Sequence, residues 1–195
     1  MKHTLIYQAR REALVLAAGM AVAALGIGAA QAQGFASATI KLQNGGETAG
    51  GLSCSFRETG LSPYSVVRYD CQSQYVGVLQ QCMFKNQPVG DPQLLKFQNI
   101  HSEELEEEEV KNNGSVRATI VTNIPESEEN AIICTEPSEL TVTAIRWCNN
   151  SLLDVTNNVM GPTQSELFAQ LENKGTGSVP SCEELANGPF TPPGF

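Results

Sequence analysis

All six cysteines of this 195-residue chain lie between positions 54 and 182, at Cys54, Cys71, Cys82, Cys134, Cys148 and Cys182. An even number at wide spacing narrows the possible folds more than any other feature, because a covalent framework dictates which segments must meet. The closest two, Cys71 and Cys82, are eleven residues apart. The paired ligands of a structural zinc site are therefore missing, and three disulfides are expected. Most of the sulfurs should point inward. Cys54 is in phase with Phe56, Cys71 with Val67 and Tyr69, and Cys82 with Val76, Val78 and Phe84. Thiols in apolar surroundings are poor nucleophiles, which argues against a redox enzyme.

Six cysteines admit fifteen pairings, and sequence alone does not choose among them. The expected set is Cys54–Cys71, Cys82–Cys134 and Cys148–Cys182. The first follows from reading SCSFRETGLSPYSVVRYDC as a hairpin with a four-residue loop, Leu61 to Tyr64. That register sets Cys54 opposite Cys71 and Phe56 opposite Tyr69, and it also sets Arg57 opposite Arg68. The third would tie the C-terminal segment to a sheet.

Disulfides need an oxidising compartment, and the N-terminus supplies an address for one. Lys2, Arg10 and Arg11 precede an uncharged apolar run from Leu14 to Ala30, and Ala-Gln-Ala at 30–32 is a cleavage site. Residues 1–32 therefore read as a removed signal peptide, and no later apolar stretch is long enough to span a bilayer. A secreted or periplasmic product is expected. The mature 163 residues keep 9 Lys and Arg against 20 Asp and Glu, a charge of −11. That balance argues against nucleic acid as a partner and leaves a protein or a glycan. The length suits one domain, with a β-sandwich over 33–160 and a C-terminal helix and tail over 161–195 docked on it.

Short runs with period-two alternation fill most of the mature chain. Ala36, Ala38, Ile40 and Leu42 share one face, as do Leu52, Cys54 and Phe56, and Val116, Ala118 and Ile120. YVGVLQQCMF, AIIC, LTVTAIRWC and SLLDV read as further strands, with turns at NGGE 44–47, GLSP 60–63, GDP 90–92 and NNG 112–114. Seven to nine such strands predict a mainly β fold, an antiparallel immunoglobulin-like sandwich, with a small barrel as the alternative. In GPTQSELFAQLENKG, Thr163 and Glu166 have capping-box spacing and Gly175 offers a stop, which predicts a short helix with Leu167, Phe168 and Leu171 on one face. SCEELAN after it offers another helical turn.

No catalytic constellation is apparent. His101 is the only histidine after processing and has no nucleophile elbow for company, so it reads as a solvated side chain. The densest charge is HSEELEEEE, where Glu103, Glu104, Glu106, Glu107, Glu108 and Glu109 are candidate ligands for a calcium ion. Contiguous Glu without Gly differs from loops whose oxygens converge, and a solvated acidic loop is the plainer reading. No other cofactor is implied. Trp147 reads as core packing beside Cys148, and Glu58 as a turn residue in ETGL whose polar partner is to be sought.

CSFRETGL, VVRYDC, NNGSVRATI and AIRWCNNSLLD together resemble a loosely defined group of short secreted bacterial proteins with FxETGL-like and VxWxNxSLxD-like motifs. The resemblance covers roughly residues 36–155 and implies secretion and a sandwich of strands. It also implies pairing of the cysteines near 82 and 134, and it carries no activity. The function expected is that of a secreted, disulfide-stabilised, non-catalytic binding or envelope protein. A cation-dependent binding module using the Glu103–Glu109 loop and a carboxylate-based hydrolase are the alternatives. Terminal sequencing of the exported protein should begin at Gln33, and a mature chain that retains residues 1–32 overturns the processing assignment.

Overall fold

Alternation along the chain becomes eight strands in the computed structural model. It describes residues 33–45, 48–102, 106–127 and 132–190, so residues 1–32, read from the sequence as a signal peptide, lie outside the described residues. The strands are β1 (Gly34–Leu42), β2 (Leu52–Thr59), β3 (Val66–Phe84), β4 (Gln87–Ile100), β5 (Glu106–Glu109), β6 (Ser115–Thr122), β7 (Glu139–Asp154) and β8 (Val159–Gln170). One short helix, α1 (Cys182–Ala186), follows them. A three-stranded sheet has the order β1-β2-β6; a second has β4-β3-β7-β8, with β5 also on β3. Every pairing is antiparallel. The two open sheets face each other as a sandwich, the expected class, and do not close into a barrel.

Inward residues of both sheets make one core, including Leu52, Cys54 and Phe56 of β2, Val116 and Ile120 of β6, and Tyr69, Cys71, Val76 and Trp147 of the larger sheet. Each large apolar side chain so buried contributes about 1.5–3 kcal/mol. The rings of Phe56 and Tyr69 lie 4.4 Å apart between centroids, and Phe35 meets Phe56 edge-on at 5.6 Å. Phe35 therefore takes the inward place expected of Ala36, which is exposed beside a bulge in β1.

All three expected disulfides form. The reason for the first differs from the hairpin reading, because β2 and β3 lie in opposite sheets. Cys54–Cys71 therefore crosses the core, and Arg57 stands opposite Arg117 of β6 and not Arg68. The segment from Gly60 to Ser65 crosses between the sheets beside 110–114, joined by Leu61 N–H to the Gly114 carbonyl (3.1 Å) and Tyr64 N–H to the Val110 carbonyl (2.9 Å). Gly114 has φ +69°, and a Cβ there would sit 2.7 Å from the Leu61 carbonyl oxygen. Only glycine fits that crossing.

Runs expected as separate strands merge. β3 joins VVRYDC to YVGVLQQCMF, and β7 joins LTVTAIRWC to SLLDV. Where Gln74 faces Asn149, which has φ 55°, both strands change the side that their alternation presents. Cys71 and Trp147 face the main core, whereas Tyr75 and Cys148 belong to a second cluster on the other face. Cys148 is therefore buried as well, but in the second cluster and not in the main core.

That outer face is covered by the C-terminal segment. Val179 and Leu185 pack on Leu79, Ala144 and Cys148, and a Cβ on Gly77 would lie 2.6 Å from Val179 Cγ1. Gln81 clamps the segment: its Nε2 donates to the Thr176 hydroxyl (2.8 Å) and its Oε1 accepts from Thr176 N–H (2.9 Å). α1 begins with a capping box of Ser181 and Glu184, where SCEELAN offered a helical turn.

The helix expected over 161–175 is instead β8 and the turn after it, so the sandwich extends past residue 160 to Gln170. Leu167, Ala169 and Leu171 are half-buried against the main core while Glu166 and Phe168 are exposed. An isolated helix of that length is marginal, and an open edge of β7 offers a full ladder of backbone partners. Pro162 is tolerated because β8 is an edge strand. Two smaller expectations also fail. AIIC is not a strand: Ala131 lies outside the described residues, and Ile133 is exposed in an irregular segment. GDP lies within β4, while the turn is at Lys85–Asn86, both with positive φ.

Removing the Cys148–Cys182 bridge as a double Ala variant should cost about 3–4 kcal/mol, given the 34-residue separation. It should also speed tryptic cleavage after Lys174. Unchanged stability and cleavage would mean that the segment is held without it.

Candidate functional site

Alternation carries Glu58 inward from β2, so it is a strand residue and not part of a turn. It is fully buried, as are Tyr69 and Asp154, which are register partners in β3 and β7. Asp154 is well bonded: it accepts from Asn157 N–H (2.9 Å), Asn157 Nδ2 (2.8 Å) and Gln33 Nε2 (3.2 Å). Neither carboxyl oxygen of Glu58 nor the Tyr69 hydroxyl has an aligned hydrogen-bond partner. Burial pushes the Glu58 carboxyl above its ordinary value, opposed by the nearby Tyr69 hydroxyl and reinforced by the charge of Asp154. Burial and the two acids push the Tyr69 phenol far upward. The cluster lies buried between the sheets.

Asp70, His101 and Ser102 have the composition of a hydrolytic triad but not its wiring. His101 Nδ1 lies 2.6 Å from Asp70 Oδ2, and Ser102 donates through both N–H (3.2 Å) and hydroxyl (3.1 Å) to Asp70 Oδ1. A nucleophilic serine must give its proton to the histidine, whereas this one gives it to the carboxylate. Buried Asp70 thus holds the end of β4 to β3. His101 is half-exposed, and the sequence pattern gave no sign of its bond to Asp70.

The acidic run is only partly a loop. Glu106–Glu109 form β5 and pair with Val66–Tyr69 of β3; Glu103 and Glu104 lie outside the described residues. Successive side chains of a strand point to opposite faces, so adjacent glutamates here diverge. The Glu107 carboxylate accepts from Arg68 Nε at 2.7 Å. This pair lines a shallow depression of about 560 Å³ with Val66, Val155 and Thr156. Among the described residues no group of three or more His, Cys, Asp or Glu is placed to hold a metal. Trp147 is fully buried and donates from Nε1 to the Gly50 carbonyl at 2.8 Å.

The outer face of the three-stranded sheet has a different character. Its register places Ser37, Arg57 and Arg117 in one row, Thr39, Ser55 and Thr119 in the next, and Lys41, Ser53 and Val121 in the third. Ser53 is buried; Ser55 Oγ and Thr119 Oγ1 are 2.9 Å apart; both arginines and Lys41 are exposed. No acidic residue occupies these positions in a chain of net charge −9. Among the described residues the ion pairs are Arg68–Glu107, His101–Asp70 and Arg146–Glu166, and none involves this face. Like charges directly opposite on a sheet are destabilising, so Arg57 beside Arg117 is a standing cost.

No protein-family model matches this chain, and no curated protein or solved structure matches it.

A carboxyl held above its ordinary value stabilises the fold below the unfolded value near 4.5 and loses that contribution as pH rises through its folded value. Relative to Glu58→Gln, the wild type should therefore lose Tm as pH rises from 4 to 8. Between the unfolded value near 4.5 and the raised folded value the loss should be about 3–5 °C per pH unit, and it should level off above the latter. Parallel Tm profiles for the two proteins would remove Glu58 as the titrating group.

Proposed function

We propose that the protein is exported and acts by binding, or as an envelope or extracellular structural component, and not by catalysis. One observation carries this reading: the residues with catalytic potential are committed to structure. All six cysteines are in disulfides, His101 and Ser102 are bonded to Asp70, and Glu58 is enclosed between the sheets. Three disulfides suit an oxidising compartment, and no helix among the described residues is long and apolar enough to cross a membrane. What solvent meets is mostly sheet surface stiffened from within.

The mature, oxidised protein, incubated with a panel of glycans and peptides, should release no product above a boiled control. Turnover of any member that is abolished by Asp154→Asn or Asp70→Asn would overturn the non-catalytic reading.

A further inference from the structure

We infer that the outer face of the sheet formed by β1, β2 and β6 binds an anionic polysaccharide, with Arg57 and Arg117 as the paired clamp on its carboxylate or sulfate groups. This inference rests on the binding reading above. Arg57 and Arg117 are direct register partners on adjacent strands, both exposed. Side chains of directly opposed register partners lie close enough for both guanidinium groups to reach one oxyanion, and arginine's planar fork suits carboxylate and sulfate groups better than a lysine does. No carboxylate of the described residues offsets their repulsion. A bound anion would turn that cost into an attraction.

The rest of the face favours a glycan over other polyanions. The row beside the clamp is Thr39, Ser55 and Thr119, hydroxyls suited to exchanging hydrogen bonds with sugar hydroxyls. Exposed Lys41 stands one row further, roughly 13 Å along the strands from the arginine row. A linear polyanion lying parallel to the strands would meet charge, hydroxyls and charge in succession. An acidic protein would need an aromatic or apolar anchor, and Val121, half-buried, is the one apolar side chain of the nine. An anionic membrane calls for clusters of about four to eight cations, and the face has three. The net negative charge of the chain does not oppose local capture, because charges beyond about 8–10 Å are largely screened at physiological salt.

The test uses the mature, oxidised protein and immobilised dextran sulfate and polygalacturonate. Neutral dextran, phosphatidylglycerol vesicles and polyglutamate serve as alternative probes. Wild type should bind both charged polysaccharides in a salt-sensitive way and ignore neutral dextran. Arg57→Gln with Arg117→Gln should weaken binding tenfold or more, while Lys85→Gln, at the β3–β4 turn, should leave it unchanged. Dextran sulfate should raise the Tm of wild type and not of the double variant, whose own Tm should not fall, since a repulsion has been removed. Equal binding by the double variant overturns the inference, as does preference for vesicles or polyglutamate, or failure to bind either charged polysaccharide. Such failures leave the non-catalytic reading standing, whereas depolymerisation of a polysaccharide by the wild type would defeat that reading itself.

Discussion

The Cys54–Cys71 bridge is the interaction on which the rest of the molecule depends. β2 and β3 are consecutive in the chain, yet they leave the crossing at Gly60–Ser65 in opposite sheets. The bridge joins them through the centre of the core, next to the packed rings of Phe56 and Tyr69. Once these strands are held face to face, β1 and β6 can pair only on the flanks of β2, and β4, β5 and β7 only on those of β3. A small domain gains most from a cross-link placed where the two layers would otherwise separate.

The second bridge layer follows from a local event. Asn149 in a left-handed conformation lets β7 change sides between Trp147 and Leu152. Trp147 thereby keeps its place in the main core while Cys148 turns outward to meet Cys182. The larger sheet is then covered on both faces near its middle, and the smaller sheet keeps one face open to solvent. One sheet has its outer face occupied by the C-terminal segment, while the other carries Thr39, Thr119 and cations that, among the described residues, have no ion-pair partner.

Polar groups are buried where the two sheets meet at one end. Glu58, Tyr69 and Asp154 replace apolar packing with a polar cluster in which burial raises the Glu58 carboxyl, and Asp154 in turn shapes the β7–β8 turn through Asn157. Burying an acid without an aligned partner costs stability. The fold tolerates that cost because Glu58 occupies the last inward position of β2, beyond Phe56.

Much of the architecture was legible in the residues. The strand class, the pairing of all six cysteines into disulfides and the burial of Trp147 follow from period two and from the compartment that six cysteines imply, whereas GLSP, read as a hairpin turn, is a crossing between sheets. Legibility failed where a local pattern supported two structures. GPTQSELFAQLENKG satisfies a helical cap, yet Leu167, Ala169 and Leu171 also alternate, and the free edge of β7 decided between them. The cationic face was invisible for a related reason: Arg57, Arg117 and Lys41 are far apart in sequence, and the net charge of the whole chain points the other way. By itself the sequence determined which residues turn inward and that the sulfurs must pair, because alternation and composition are local properties. Only the tertiary structure decided which sheet each strand joined, and so which arginines stand side by side, because strand partners are chosen by long-range packing.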